Sequence, residues 1–384
     1  MKLKDRTDLS FPEAASVIVG HGIGAGILSV PYLASRNSIR DIIIIIILCT
    51  LFNIILHLLI AELSLNNNGA QFVKCFNSEL FSGLLKKIFT WLAFVLMGFS
   101  VVVNVGAYLT GASAVFGSWF GVSRILGMLI FYVLCAAVVF FGVKLVGICE
   151  KYAVGAMIIV VLILLIAVLR GSISPLPTQF RTWSNALALF GMVSFSLSAV
   201  MSTPQVVKGL GMKPGRIRAA ISLGIIVNAC VIFLVTLTTL MGAGTSVTED
   251  GALVDLARKM GGWVSIVGYI FTLLALATSF WTNTLNLRDI ISEQVHWNRD
   301  ICWLAASLPP LVLAILAGSS FVTLSRIASI IMVVTSLGII LAYNRSRKRA
   351  GRSELLGPLG TLPFQLIVLG LSLLATIGSV LKVT

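Results

Sequence analysis

The sequence predicts an all-α polytopic membrane protein of about eleven transmembrane helices, and three observations carry that reading. Of 384 residues, 58% are hydrophobic and only 11% are charged. Apolar runs of about 20 residues, enough to cross a bilayer, recur from residue 12 to the C-terminus. Lys and Arg gather in alternate connections between those runs, about 19 on one side against about 9 on the other. The net charge of +14 therefore reads as membrane orientation, with a cytoplasmic N-terminus and an external C-terminus in a cell membrane. The partner it implies is the lipid bilayer; no nucleic acid is expected.

The runs lie near 12–35, 40–64, 88–117, 124–142, 147–170, 184–208, 217–241, 263–287, 301–317, 320–344 and 360–382. The first is interrupted. Residues 20–31 place Gly20, Gly22, Gly24 and Gly26 at alternate positions and then Pro31, a poor continuous helix. Irregular backbone at membrane depth is tolerated only where protein or a water-filled cavity satisfies it, so the break points to a mid-membrane site. Close packing through small residues is the competing explanation.

The second span carries His57 and Glu62, and Glu62 with Glu150 of the fifth reads as a contact near the cytoplasmic ends. In the third span, Asn104 and Tyr108 are i and i+4 on one face, well inside an apolar run. The sixth span is interrupted like the first. Ser194-Phe-Ser-Leu-Ser-Ala-Val-Met-Ser-Thr-Pro204 crowds small and hydroxyl residues ahead of a proline. Two interrupted spans five apart predict an inverted repeat with its site at the repeat interface. The boundaries expected within one transporter domain, 1–384, are a first repeat over 12–170, a second over 184–344 and an additional helix over 360–382. In the connection 242–262, Leu253–Met260 has helical apolar spacing, with Thr248 or Asp250 as caps, and reads as an external lid or an interfacial anchor.

The breaks free backbone groups. Amides near Gly24, Ala25 and Gly26 suit a carboxylate, and carbonyls near Gly20, Ile23, Phe195 and Ser196 suit an ammonium. A site with both polarities fits a zwitterion, of which an amino acid is the simplest. The expected substrate contacts are thus His21, Gly22, Gly24, Ala25, Gly26, Asn104, Tyr108, Phe195, Ser196, Ser198 and Phe280. In the eighth span, Thr278 and Ser279 join carbonyls of Gly20, Ile23 and Ala275 as candidate oxygen ligands of Na⁺, unless both hydroxyls only bond back to the preceding turn. His21 either carries a proton, since imidazole titrates near ~6.5, or braces the unwound backbone. Six scattered cysteines and three unpaired histidines form no metal or disulfide pattern. No cofactor is expected beyond a coupling ion, Na⁺ or H⁺, and no paired carboxylates or nucleophile motif suggests an enzyme.

Gly24-Ala-Gly-Ile-Leu-Ser-Val-Pro-Tyr32, Ser194–Pro204 and Ala275-Leu-Ala-Thr-Ser-Phe280 running into Leu287-Arg-Asp289 resemble the amino acid permeases of the amino acid–polyamine–organocation superfamily. The amino acid/auxin and aromatic amino acid permease branches are the nearest in pattern. The resemblance implies a LeuT-type fold of two inverted five-helix repeats, broken first and sixth helices, and alternating access. It also implies that Gly20, Ile23, Thr278 and Ser279 form a sodium-type site. The lysine that some proton-driven relatives carry in the fifth span falls on Met157. The expected function is secondary active import of a neutral amino acid, aromatic or branched, by Na⁺ or H⁺ symport. An amino-acid-sensing receptor subunit of the same fold is the alternative.

Overall fold

A computed structural model of the chain describes residues 7–24, 26–171, 173–180, 182–244, 247–248, 255–256, 259–316, 337–351 and 354–381. Among these residues all regular structure is helical. Among the described residues eight helices are long and apolar enough to cross a membrane, nine if the bent first pair counts as one span, and Arg124–Phe140 is a shorter apolar helix.

The first span begins where the sequence supplies a cap. The Ser10 amide donates to Glu13 Oε2 at 2.7 Å and the Glu13 amide to Ser10 Oγ at 3.4 Å, a capping box opening α1 (Phe11–Ile23). Glu13 also pairs with Lys144 at 2.7 Å, fixing α1 to the start of the fifth span. After Gly24 the chain resumes as α2 (Gly26–Ala34), bent 57° from α1. The glycine-rich segment thus ends one helix and starts another.

Next come α3 (Ile39–Asn66), the short amphipathic α4 (Phe72–Glu79), α5 (Lys86–Phe120), α6 (Arg124–Phe140) and α7 (Val143–Leu169). With 35 residues and ~1.5 Å per residue, α5 is longer than a ~30 Å hydrocarbon core requires. On α7 the buried residues Val146, Gly147, Glu150, Val154, Met157 and Val161 recur at three- and four-residue steps, while Ile159, Ile163 and Ile166 are exposed. Such outward apolar side chains face lipid, which is why the helix is apolar all round.

The sixth span is α8 (Trp183–Ser196), a non-helical Leu197–Ala199, a 3₁₀ turn Val200–Ser202, and α9 (Thr203–Gly209) with Pro204 in its first turn. Then follow α10 (Pro214–Ala243), α11 (Gly262–Val295), α12 (Arg299–Leu316), a helical stretch 337–350, and α13 (Leu362–Val380). The expected span 320–344 falls mostly outside the described residues, as do Asp250 and half of the expected helix 253–260. What is described of that connection is pinned: the Thr248 amide donates to Asp255 Oδ2 at 2.7 Å, and Lys259 Nζ donates to the Ala243 carbonyl at 3.1 Å.

Helix α1 sits at the centre, packed on α7, α10 and α11, with α2 against α8 and α10. Both breaks therefore meet inside the bundle. At the α4 end, Glu79 pairs with Arg349, and Arg345 donates to the Glu79 and Leu80 carbonyls.

Candidate functional site

A cavity, part of it open to solvent, lies between the two breaks. From the first span it takes His21, Gly22, Gly24 and Gly26; from the sixth, Phe195, Ser198, Val200 and Met201. Helix α5 adds Met97, Ser100, Val101, Asn104 and Tyr108, and α11 adds Asn283. Eight residues expected from the sequence line this space: His21, Gly22, Gly24, Gly26, Asn104, Tyr108, Phe195 and Ser198. Ala25 lies outside the described residues.

Two expected residues are placed elsewhere. Ser196 is fully buried and its hydroxyl donates back to the Met192 carbonyl at 2.8 Å, while Phe280 is buried edge-on against Phe131 and Tyr132. Six lining residues escaped the sequence reading: Met97, Ser100, Val101, Val200, Met201 and Asn283. The signal for half of them was available. Met97, Val101, Asn104 and Tyr108 follow helical spacing, and Asn283 is one turn beyond Ser279.

Much of the backbone freed at the second break is satisfied within the protein. The Ala199 amide donates to His57 Nε2 at 2.8 Å, and His57 Nδ1, 2.6 Å from the Asn53 carbonyl, is therefore the protonated nitrogen. Asn228 Nδ2 donates to the Ser196 carbonyl at 2.9 Å, and the Ser198 amide to the Phe195 carbonyl at 3.0 Å. The Phe195 and Ser196 carbonyls, expected to attract an ammonium, thus already hold donors. The sequence reading missed His57 and Asn228 because their roles depend on which turn of a neighbouring helix they meet.

His21 links the two breaks. Its Nδ1 lies 2.7 Å from Ser202 Oγ, which also accepts from Asn286 Nδ2 at 3.1 Å. Tyr108 stands beside Ser279 and Asn283 on the cavity wall. Asn104 Oδ1, on the same wall, is a buried acceptor with no hydrogen-bond partner.

The glycines are close-approach positions. A Cβ on Gly24 would overlap Ser279 Oγ, on Gly26 Ser196 Oγ, and on Gly22 Asn228 Nδ2. The break and the close packing, competing explanations in the sequence, operate together. Among the candidate sodium ligands, Ser279 Oγ donates to the Gly20 and His21 carbonyls at 3.3 Å each, and Thr278 Oγ1 donates to the Ala275 carbonyl at 3.0 Å. Ile23 is fully buried beside them.

Glu150 is not where the sequence put it. It lies fully buried, and its Oε2 fills the space a Gly20 Cβ would need, beside Thr278. Glu62 does hold a helix end, accepting from the Leu355 and Leu356 amides at 3.3 and 3.2 Å. Arg288 and Asp289 pair at 2.7 Å, and Asp289 Oδ2 accepts from Gln205 of α9 at 2.9 Å.

Residues 8–377 match the tryptophan/tyrosine permease family. The chain belongs to that family. No curated protein sequence matches it. Among solved structures it is similar to Mhp1, a nucleobase-cation-symport-1 family transporter in a closed conformation with bromovinylhydantoin bound. That match has a TM-score of 0.67 at 14% identity over 99% of this chain and 92% of that one. It is also similar to MhsT in complex with L-phenylalanine, with a TM-score of 0.61 at 13% identity over 97% and 99% of the two chains. This permease has a LeuT-type fold. It is a multi-pass membrane transporter rather than an enzyme.

Proposed function

We propose that this permease imports an aromatic amino acid by symport with a monovalent cation. The observation that carries the reading is the cavity between the two breaks, with Phe195, Val101, Val200, Met97 and Met201 as an apolar wall and polar groups at Gly24, Gly26 and Asn104. A zwitterionic head and a large apolar side chain need those two environments side by side. The family's description, tryptophan/tyrosine permease, favours an aromatic side chain. Asn104 Oδ1, an unpartnered acceptor, is suited to the substrate ammonium. The backbone of the first break, at a half-helix end, is suited to the carboxylate.

In this reading Gly20, Ile23, Ala275, Thr278, Ser279 and the adjoining Glu150 surround the coupling-cation region, and residues 12–170 and 184–344 are the two inverted repeats. The N-terminus is cytoplasmic and the chain resides in the cell membrane, following the distribution of basic residues. Competition binding on the purified protein tests the substrate class. Labelled L-tryptophan should bind saturably and be displaced by tyrosine and phenylalanine at least about tenfold more effectively than by alanine, a difference of about 1.4 kcal/mol. Equal displacement by alanine, or no tryptophan binding at all, overturns the aromatic reading.

A further inference from the structure

Glu150 is the least explained acidic residue in the bundle. It lies two turns into α7, has no exposed surface, and neither carboxylate oxygen has a hydrogen-bond partner. A Cβ placed on Gly20 would overlap Glu150 Oε2 and stand 2.7 Å from its Cδ and 3.0 Å from Thr278 Cβ. Three elements thus converge on one point: the last turns of α1 before the break, α7, and α11 at Thr278 and Ser279. The glycine at position 20 is what admits the carboxyl there.

Among the described residues no neighbour neutralises it. Of the groups on its own helix, Lys144 is paired with Glu13, Lys151 lies over the Tyr152 ring at 4.6 Å, and Cys149 is the adjacent residue. On α1 the other titratable groups are Glu13, already paired, and His21, bonded to Ser202 on the cavity side. On α11, Arg288 is paired with Asp289, and Glu293 accepts from the Gln71 amide. On α6, Arg124 donates to the Ala314 carbonyl and the Tyr132 hydroxyl bonds Ser307, while Cys135 is buried. On α10, Arg216 and Arg218 stand at the helix start, Arg218 donating to the Glu354 carbonyl, and Cys230 is exposed.

A bare carboxylate in such surroundings costs several kcal/mol, and ionisable groups at this depth are rarely without a functional partner. The missing partner is one positive charge. We propose that Glu150 is the anionic ligand of the coupling cation, which is held against its carboxyl where Gly20, Thr278 and Ser279 meet. The charge is delivered as a sodium ion, which neutralises the carboxylate. Because α1 and the pair α7–α11 meet only closely there, an uncompensated carboxylate disfavours the packed arrangement and a bound cation favours it. Occupancy is then linked to the position of the broken helix.

The proposal rests on the symport reading above, but its test needs no amino acid, so the two can fail separately. Purified full-length protein and its Glu150→Gln and Glu150→Asp variants are compared for equilibrium binding of radioactive sodium. Wild type binds sodium saturably, Glu150→Gln loses that binding, and Glu150→Asp keeps it with altered affinity. Size-exclusion profiles of the variants check folding. The proposal is overturned if wild type binds no sodium, or if Glu150→Gln binds it as wild type does.

Discussion

A backbone atom rather than a side chain is the central feature at the residue scale. Gly26 lies against Ser196 and Phe195 so closely that a methyl group would overlap the serine hydroxyl and stand 3.1 Å from its Cβ. Overpacking of this kind costs about 1–3 kcal/mol where the neighbours cannot move. Ser196 Oγ only bonds back to its own helix, so removing that side chain costs little. Gly26→Ala should therefore lower thermal stability by that amount, and Gly26→Ala combined with Ser196→Gly should recover most of it. If the single variant melts like wild type yet no longer binds tryptophan, the glycine serves substrate approach instead. Legibility at this scale was uneven. Asn104 and Tyr108 could be read because polar residues one turn apart in an apolar run share a face. Glu150 was misread as a contact near the cytoplasmic end of its span. The better signal was its position three residues after Gly147 and four before Val154, on the inward stripe of α7.

Elements divide into those that close on themselves and those that are tied together by a few polar bonds. Helix α9 is seven residues long, follows the second break, and is joined to α11 by the Gln205–Asp289 hydrogen bond. The Leu9 amide also donates to the Gly209 carbonyl at 2.8 Å, so the segment before α1 grips the same short helix. In the proposed transport cycle the broken helices move against the rest, which requires such ties to break. Gln205→Leu removes one tie without stripping Arg288 of its partner Asp289. A neutral-to-charged hydrogen bond is worth about 1.5–3 kcal/mol, so backbone amides of α9 should exchange with deuterium at least about tenfold faster in the variant. Unchanged exchange would show that packing alone holds α9. The breaks themselves were legible as elements because glycine, serine and proline clustered at membrane depth. The bond partners were not, since no periodicity within α3 tells which turn His57 presents to Ala199.

For the whole molecule, the apolar runs located the eight long helices and the bent first pair among the described residues, because bilayer thickness imposes a length on a span. The described helices agree with the expected runs except in the region of 317–336, which lies outside the described residues. Cavity shape was not legible, because Val200 and Met201 reach it through the irregular backbone of the second break. The proposed transport cycle has an electrical consequence that depends on neither residue nor element alone. An amino acid zwitterion carries no net charge, so symport with one monovalent cation moves one positive charge per substrate. A potential of 100 mV supplies ~2.3 kcal/mol per charge, equivalent to about 50-fold accumulation. Proteoliposomes loaded with equal cation concentrations on both sides, and given an inside-negative potassium diffusion potential of about that size, should concentrate labelled tryptophan toward that limit. Reversing the potential should drain preloaded tryptophan to the same degree. Accumulation that ignores the sign of the potential would mean that no net charge accompanies the substrate. In that case a counter-ion or an exchanged amino acid balances the cation, and the one-cation cycle is wrong.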